Sequence, residues 1–255
     1  MSKNIQVFSR LAGNPTADTI EELDNLLGKF KQHRTYFEGC CGTGSAFFNI
    51  SDHGFERWVL CDWDPNITNM LRSLKISPWE AYDRELDKIS EKYGDLRKEK
   101  EAYDGAISEW TDAKETKDKV REGLLFHIIL NSCLNAKPEY NDEGEFTASW
   151  GKTTLDITKS AWEDMRKIML ERNPTIITAD WHSSIKQYND SDTVFFLDQP
   201  WPVGRTNSSY VDPRHTDLAI LDKMLCPVIY IWRGMLHTSG KTDINGKPLD
   251  RGLGL

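Results

Sequence analysis

Thr35-Tyr36-Phe37-Glu38-Gly39-Cys40-Cys41-Gly42-Thr43-Gly44 is the stretch that decides the fold. Its first four residues, β-branched and aromatic, read as a short buried strand. The strand runs into a turn rich in glycine, and Ser45 to Ile50 predict the start of a helix. Glycines let a backbone pass close to a ligand, and the N–H groups at a helix start are available to bind one. Working outward, Trp58-Val59-Leu60-Cys61 is a second strand that ends at Asp62, and Ile67 to Leu74 predict the next helix. Strand, glycine turn, helix, strand and acid open a doubly wound α/β sheet.

The alternation returns late in the chain. Thr175 to Ala179 read as a strand ending at Asp180, Thr193 to Leu197 as a strand ending at Asp198, and Pro227 to Trp232 as a further strand. Helices are expected within residues 4–32, capped by Thr16 or Thr19, and over Ser160–Glu171 and His215–Leu225. Thr238 to Leu255, rich in glycine and lysine, read as loop.

Residues 78–122 differ in character. Leu86, Ile89, Tyr93, Leu96, Tyr103, Ile107 and Trp110 recur at a spacing of three to four, the seam of a long helix or helical hairpin weakened by Gly94 and Gly105. A buried helix follows over Gly123–Cys133, then a β-hairpin from Asn135 to Lys152 around the turn at Asn141-Asp142-Glu143-Gly144. The expected organisation is a sheet core of 1–77 and 153–255 carrying a helical and hairpin insert at 78–152. Packing of the insert on the core is the plain reading of residues 78–122, and a protein partner bound by those helices is the sharper one.

The chain has 255 residues, enough for one large α/β domain, and no apolar run of membrane-spanning length. The first ten residues lack the apolar stretch of a secretory leader, and a cytoplasmic protein is expected. Five cysteines, Cys40, Cys41, Cys61, Cys133 and Cys226, have neither disulfide-framework nor metal-ligand spacing and read as small apolar fillers. The net charge of −8 opposes nonspecific attraction to polyphosphate.

Two constellations carry chemistry. The turn at Glu38–Gly44, with Asp62 about twenty residues beyond it, suits an adenosine-containing cofactor. Asp62 accepts from ribose hydroxyls in that reading, and Trp63 stacks on the adenine. Asp198-Gln199-Pro200-Trp201 ends an apolar strand, where open sheets place their ligand crevice. A carboxylate there accepts from an exocyclic amine while an indole stacks on the base.

These parts, in this order, resemble the Dam-like, D12 class of S-adenosylmethionine-dependent DNA adenine-N6 methyltransferases. Phe37–Asn49 is similar to that family's cofactor loop, and Leu60–Ile67 to its "DINPD" segment. Asn135, Tyr140-Asn141, Gly144-Glu145-Phe146 and Trp150-Gly151-Lys152 resemble its hairpin, "NG…RYN..GEFN.PFGK". Asp198-Gln199-Pro200-Trp201 stands where the family has DPPY. The resemblance implies a Rossmann-like class I methyltransferase sheet with S-adenosylmethionine as cofactor. The implied cofactor contacts are Ala12, Gly13, Glu38, Gly39, Cys40, Gly42, Asp62, Trp63 and Asp180. It implies Asp198, Gln199, Pro200 and Trp201 as the catalytic segment, double-stranded DNA with a flipped adenine as partner, and no metal. Asn135, Lys137, Tyr140, Asn141, Lys152 and Tyr210 are the implied substrate contacts.

The sequence also departs from the pattern. The family's "KWAGGK" is Arg10-Leu11-Ala12-Gly13-Asn14-Pro15 here, without the second lysine. Gln199 replaces the first proline of DPPY, and Glu139 replaces the arginine of "RYN". The chain also ends soon after the strand at 227–232, where family members continue into a closing hairpin. These changes leave two other readings open: a transferase acting on another base, a modified base or a nucleotide, and a non-catalytic descendant that binds a protein.

Overall fold

The computed structural model describes residues 15–152, 157–198, 221, 224–232 and 235–239. In chain order its elements are α1 (Ala17–Leu27), β1 (Thr35–Gly39), α2 (Ser45–Asn49), β2 (Arg57–Asp62), α3 (Pro65–Ile76), α4 (Trp79–Tyr93), α5 (Lys100–Glu115), α6 (Lys119–Ser132), a 3-10 turn (Leu134–Ala136), α7 (Lys159–Arg172), β3 (Thr175–Thr178), α8 (Trp181–Tyr188), β4 (Thr193–Leu197), β5 (Val228–Trp232) and β6 (Met235–Ser239). Backbone contacts divide the chain into two compact units. One contains Pro15–Trp63 and the residues from Arg172 onward, the other Asp64–Glu171. The second unit therefore includes α3 and most of α7 as well as the span 78–152.

The first unit is built on a six-stranded sheet of order β3-β2-β1-β4-β5-β6. Its first five strands are parallel, and β6 runs antiparallel to β5. This is the Rossmann-like α/β sheet expected from the sequence. All residues of β1 and β4 are buried, as strands covered on both faces must be. Phe37 stacks on Phe195 at 4.3 Å between ring centroids, so the two central strands share one aromatic seam. Thr16 caps α1 by accepting the Thr19 N–H at 3.2 Å. Arg172 donates to the carbonyls of Phe47 and Ile50 and lies 4.3 Å from the Trp58 ring centre. It thereby ties the end of α2 to β2.

The register sets the functional edge. Gly39 of β1 pairs with Cys61 of β2 and Leu197 of β4, and Asp62 pairs with Thr178 of β3. Four strands thus end at one level. The order reverses direction between β1 and β4, the switch point at which open sheets leave a crevice.

The second unit is helical. Asp64 caps α3 through the Asn66 N–H at 2.8 Å, with Pro65 in the first turn. The span read as one long helix or a hairpin is broken twice. Gly94, at φ 98°, ends α4, and Lys117, at φ 59°, separates α5 from α6, whose cap is Asp118. Gly105 breaks nothing. It lies inside α5, where an added Cβ would fall 2.3 Å from Cγ of Tyr93. Arg121 joins Glu85 of α4 to Glu109 of α5, and Glu109 also takes Lys92. These two cations hold the Glu109 carboxyl down at about 2. Trp162 is fully buried, donates to the Ser77 carbonyl at 3.0 Å and packs on Tyr82 at 4.6 Å.

Two expectations need correction. The hairpin over Asn135–Lys152 follows an antiparallel course but forms only isolated bridges, Tyr140 with Phe146 and Cys133 with Trp150. Its residues spend their hydrogen bonds on the turn and on neighbouring loops rather than on a continuous ladder. Thr238, read as the start of a loop, pairs with Ile229 within β6; thus the sheet closes with an antiparallel hairpin. The helix expected over His215–Leu225 and the segment 4–14 lie almost entirely outside the described residues. Among the described residues, no helix is long and apolar enough to cross a membrane.

Candidate active site at the carboxyl edge of the sheet

The turn that leaves β1 is held in the left-handed region at Cys40 (φ 57°), Gly42 (φ 51°) and Gly44 (φ 76°). Only the glycines adopt this conformation without cost. Gly39 is required for a different reason. A Cβ there would lie 2.8 Å from Leu197 Cδ1 and 3.2 Å from Trp181 Cβ, so β1 could not pack against β4 and α8. At Gly42 an added Cβ would meet nothing within 4 Å, so the turn is open where a ligand's backbone-bound groups would lie. Its N–H donates to Asp62 Oδ2 at 2.9 Å, joining the turn to the end of β2.

Glu38 is buried beneath this turn and accepts the Tyr36 hydroxyl at 2.9 Å. Burial pushes its carboxyl up to about 8, with Asp198 adding to the rise, while Tyr36, the Phe47 N–H and Arg172 oppose it. Asp198 follows β4, and burial raises it to about 7. Asp180 follows β3, where the Ala179 N–H donates to the Asp62 carbonyl at 3.0 Å. Its Oδ1 accepts the His182 N–H at 2.9 Å, capping α8, and lies 3.1 Å from His182 Nδ1. Trp63, beside Asp62, is 50% exposed. Burial raises the Cys61 thiol to about 11, as suits a filler rather than a nucleophile.

The sheet unit thus brings Glu38, Gly39, Cys40, Gly42, Asp62, Trp63, Asp180 and Asp198 to one edge. In the helical unit, Tyr140 donates to Asp64 Oδ2 at 2.7 Å and accepts from Asn66 Nδ2 at 2.9 Å. Asn141 closes the turn with Glu145 through its side-chain oxygen and amide, both at 2.8 Å. Lys137 lies 3.3 Å from Glu139, and Lys152 lies over the Trp150 ring at 5.7 Å. Asn135 is exposed in a left-handed conformation at φ 58°. Ala12, Gly13, Gln199, Pro200, Trp201 and Tyr210 lie outside the described residues. Sequence reading missed Tyr36, Arg172 and His182. Tyr36 and Glu38 were accessible to it, because residues two apart share a strand face.

The profile of the D12 class of N6 adenine-specific DNA methyltransferases matches residues 18–215. The chain belongs to this family. It is also 21% identical over 228 residues to the type II methyltransferase M1.LlaDCHI of Lactococcus lactis subsp. cremoris, an alignment covering 87% of this chain and 74% of the relative. The reaction is therefore methylation of adenine N6 in DNA. A methyltransferase of this class needs a site for the donor and a grip on an exocyclic amine.

Proposed function

We propose that this methyltransferase uses S-adenosylmethionine and acts on an adenine flipped out of duplex DNA. The observation that carries the reading is the level edge at the β1/β4 switch point, where the open Gly42 turn, Asp62, Asp180 and Asp198 end adjacent strands. Glu38, Gly39, Cys40 and Gly42 line the donor's methionine and ribose in this reading, together with Ala12 and Gly13. Asp62 accepts from the ribose hydroxyls, while Trp63 and Asp180 take the adenine ring and its amine. When bound, the donor supplies a methyl group on a sulfonium.

Asp198 accepts a hydrogen bond from N6 of the target adenine, and Trp201 stacks on its ring. A backbone carbonyl at Gln199 or Pro200 takes the second N6 hydrogen. These contacts make the nitrogen more tetrahedral, so its lone pair is available for in-line attack. The new N–C bond forms as the C–S bond breaks, and N6 releases a proton. The Asp198 carboxylate accepts more strongly than the protonated acid, so activity rises with pH through about 7. Asn135, Lys137, Tyr140, Asn141, Lys152 and Tyr210 meet the DNA. The type II name of the lactococcal relative favours a role in restriction-modification.

The test is mass-spectrometric measurement of N6-methyladenine in DNA incubated with the protein and S-adenosylmethionine. Asp198→Ala should lower transfer by roughly 100-fold or more and leave calorimetric affinity for S-adenosylmethionine nearly unchanged. Normal methylation by that variant overturns the assignment of Asp198. Absence of N6-methyladenine with the unaltered protein overturns the whole reading.

A further inference from the structure

We infer that His182 is a positioning residue that sets the Asp180 carboxyl to select the 6-amino group of the donor's adenine. The inference rests on the preceding reading, in which Asp180 meets that adenine. Oδ1 of Asp180 is held from two sides, by the His182 N–H at 2.9 Å and by His182 Nδ1 at 3.1 Å. Facing a carboxylate, Nδ1 is the ring nitrogen that carries the proton. The ring itself is fixed, stacked on Trp181 at 3.7 Å and 26°. Trp181 is 3% exposed and belongs to the aromatic core of the sheet unit. Its Cβ lies 3.2 Å from the place a Cβ would occupy at Gly39, so Trp181 packs against the start of the donor turn.

The Asp180 main chain is tied down as well. Its carbonyl accepts the Ser183 hydroxyl at 2.7 Å and the Ser183 N–H at 3.1 Å. With main chain and Oδ1 both fixed, rotation about the carboxyl is blocked. A carboxylate so held distinguishes a purine that offers an amine, a hydrogen-bond donor, from one that offers a carbonyl, which it repels. A carboxylate free to rotate discriminates less, because it can turn away from the 6-carbonyl and accept the N1–H that a 6-oxopurine carries.

The probes are S-adenosylhomocysteine and its 6-oxo counterpart S-inosylhomocysteine, titrated calorimetrically into the full chain. The unaltered protein should prefer the amino compound by roughly ten- to a hundredfold, the range for one hydrogen bond to a charged group. His182→Ala should reduce that preference about fivefold or more, and His182→Asn, whose amide can still donate to Asp180, should restore most of it. Asp180→Asn keeps an acceptor to cap α8 but loses the carboxylate, and should abolish the preference. If Asp180→Asn abolishes the preference and His182→Ala leaves it intact, or weakens both ligands equally, the positioning role is overturned while the reading of Asp180 stands. If Asp180→Asn leaves the preference intact, the reading of Asp180 falls and the inference falls with it.

Discussion

At Glu38, burial beside Asp198 raises the carboxyl to about 8 against the Tyr36 hydrogen bond, the Phe47 N–H and the Arg172 charge. The unfolded chain releases that proton near 4.5, the usual glutamate value. Between those values the folded state binds more protons, so this contribution is complete below about 4.5 and is lost as pH rises through about 8. Glu38→Gln keeps an acceptor for the Tyr36 hydroxyl and removes the titration. Denaturant unfolding should show the variant gaining about 2.7 kcal/mol relative to the unaltered protein between pH 6 and pH 9, at roughly 1.4 kcal/mol per pH unit up to about 8. Parallel pH profiles for the two proteins would show that Glu38 is ionised in the folded state. The acids at the strand ends, Asp62, Asp180 and Asp198, were legible in the sequence because an acid closing an apolar run is a local pattern. The partner of Asp180, His182, was less so, because it depends on a side-chain direction that spacing alone does not give.

Gly94 and Gly105 show why elements were read less well than residues. Both looked like weak points in one helical seam, yet one ends α4 and the other admits a ring from the neighbouring helix. A glycine that is needed as a C-cap and one that is needed for close approach look alike until the partner is known. β6 was missed for a related reason. Met235-Leu236-His237-Thr238-Ser239 lacks clear alternation, and an edge strand is specified largely by the strand it pairs with. Gly105→Ala would ordinarily stabilise a helix by about 1 kcal/mol. Here the added methyl meets the Tyr93 ring, so the net effect should be a loss of about 1 to 3 kcal/mol. In a Tyr93→Ala background the same substitution should be neutral or stabilising, because the space is vacated. A double-mutant cycle by urea unfolding reads the difference, and additive effects would mean that the two positions do not touch.

At the scale of the whole molecule, a net charge of −8 has to be reconciled with a polyanionic substrate. The fold class was legible because strand, turn and acid recur in order, but the charge balance at the DNA is set by pairings that composition cannot supply. One such pairing is on the hairpin, where Lys137 is neutralised by Glu139 at 3.3 Å. Asp142, Glu143 and Glu145 are exposed on the same turn, so this segment carries little positive charge to offer a phosphate. Counterion release links each phosphate contact to the salt dependence of binding, with log K falling by about 0.9 per contact for each unit of log salt. Glu139→Arg removes a repulsion and releases Lys137 at the same time. Binding to a short duplex, followed by fluorescence anisotropy from about 50 to 200 mM salt, should tighten about fivefold or more at the low end, and the slope should steepen by roughly one to two units. An unchanged slope would mean that the hairpin does not reach the phosphates. DNA capture would then have to come from elsewhere on the protein, and Lys137, Lys152 and Asn135 would lose their proposed role together.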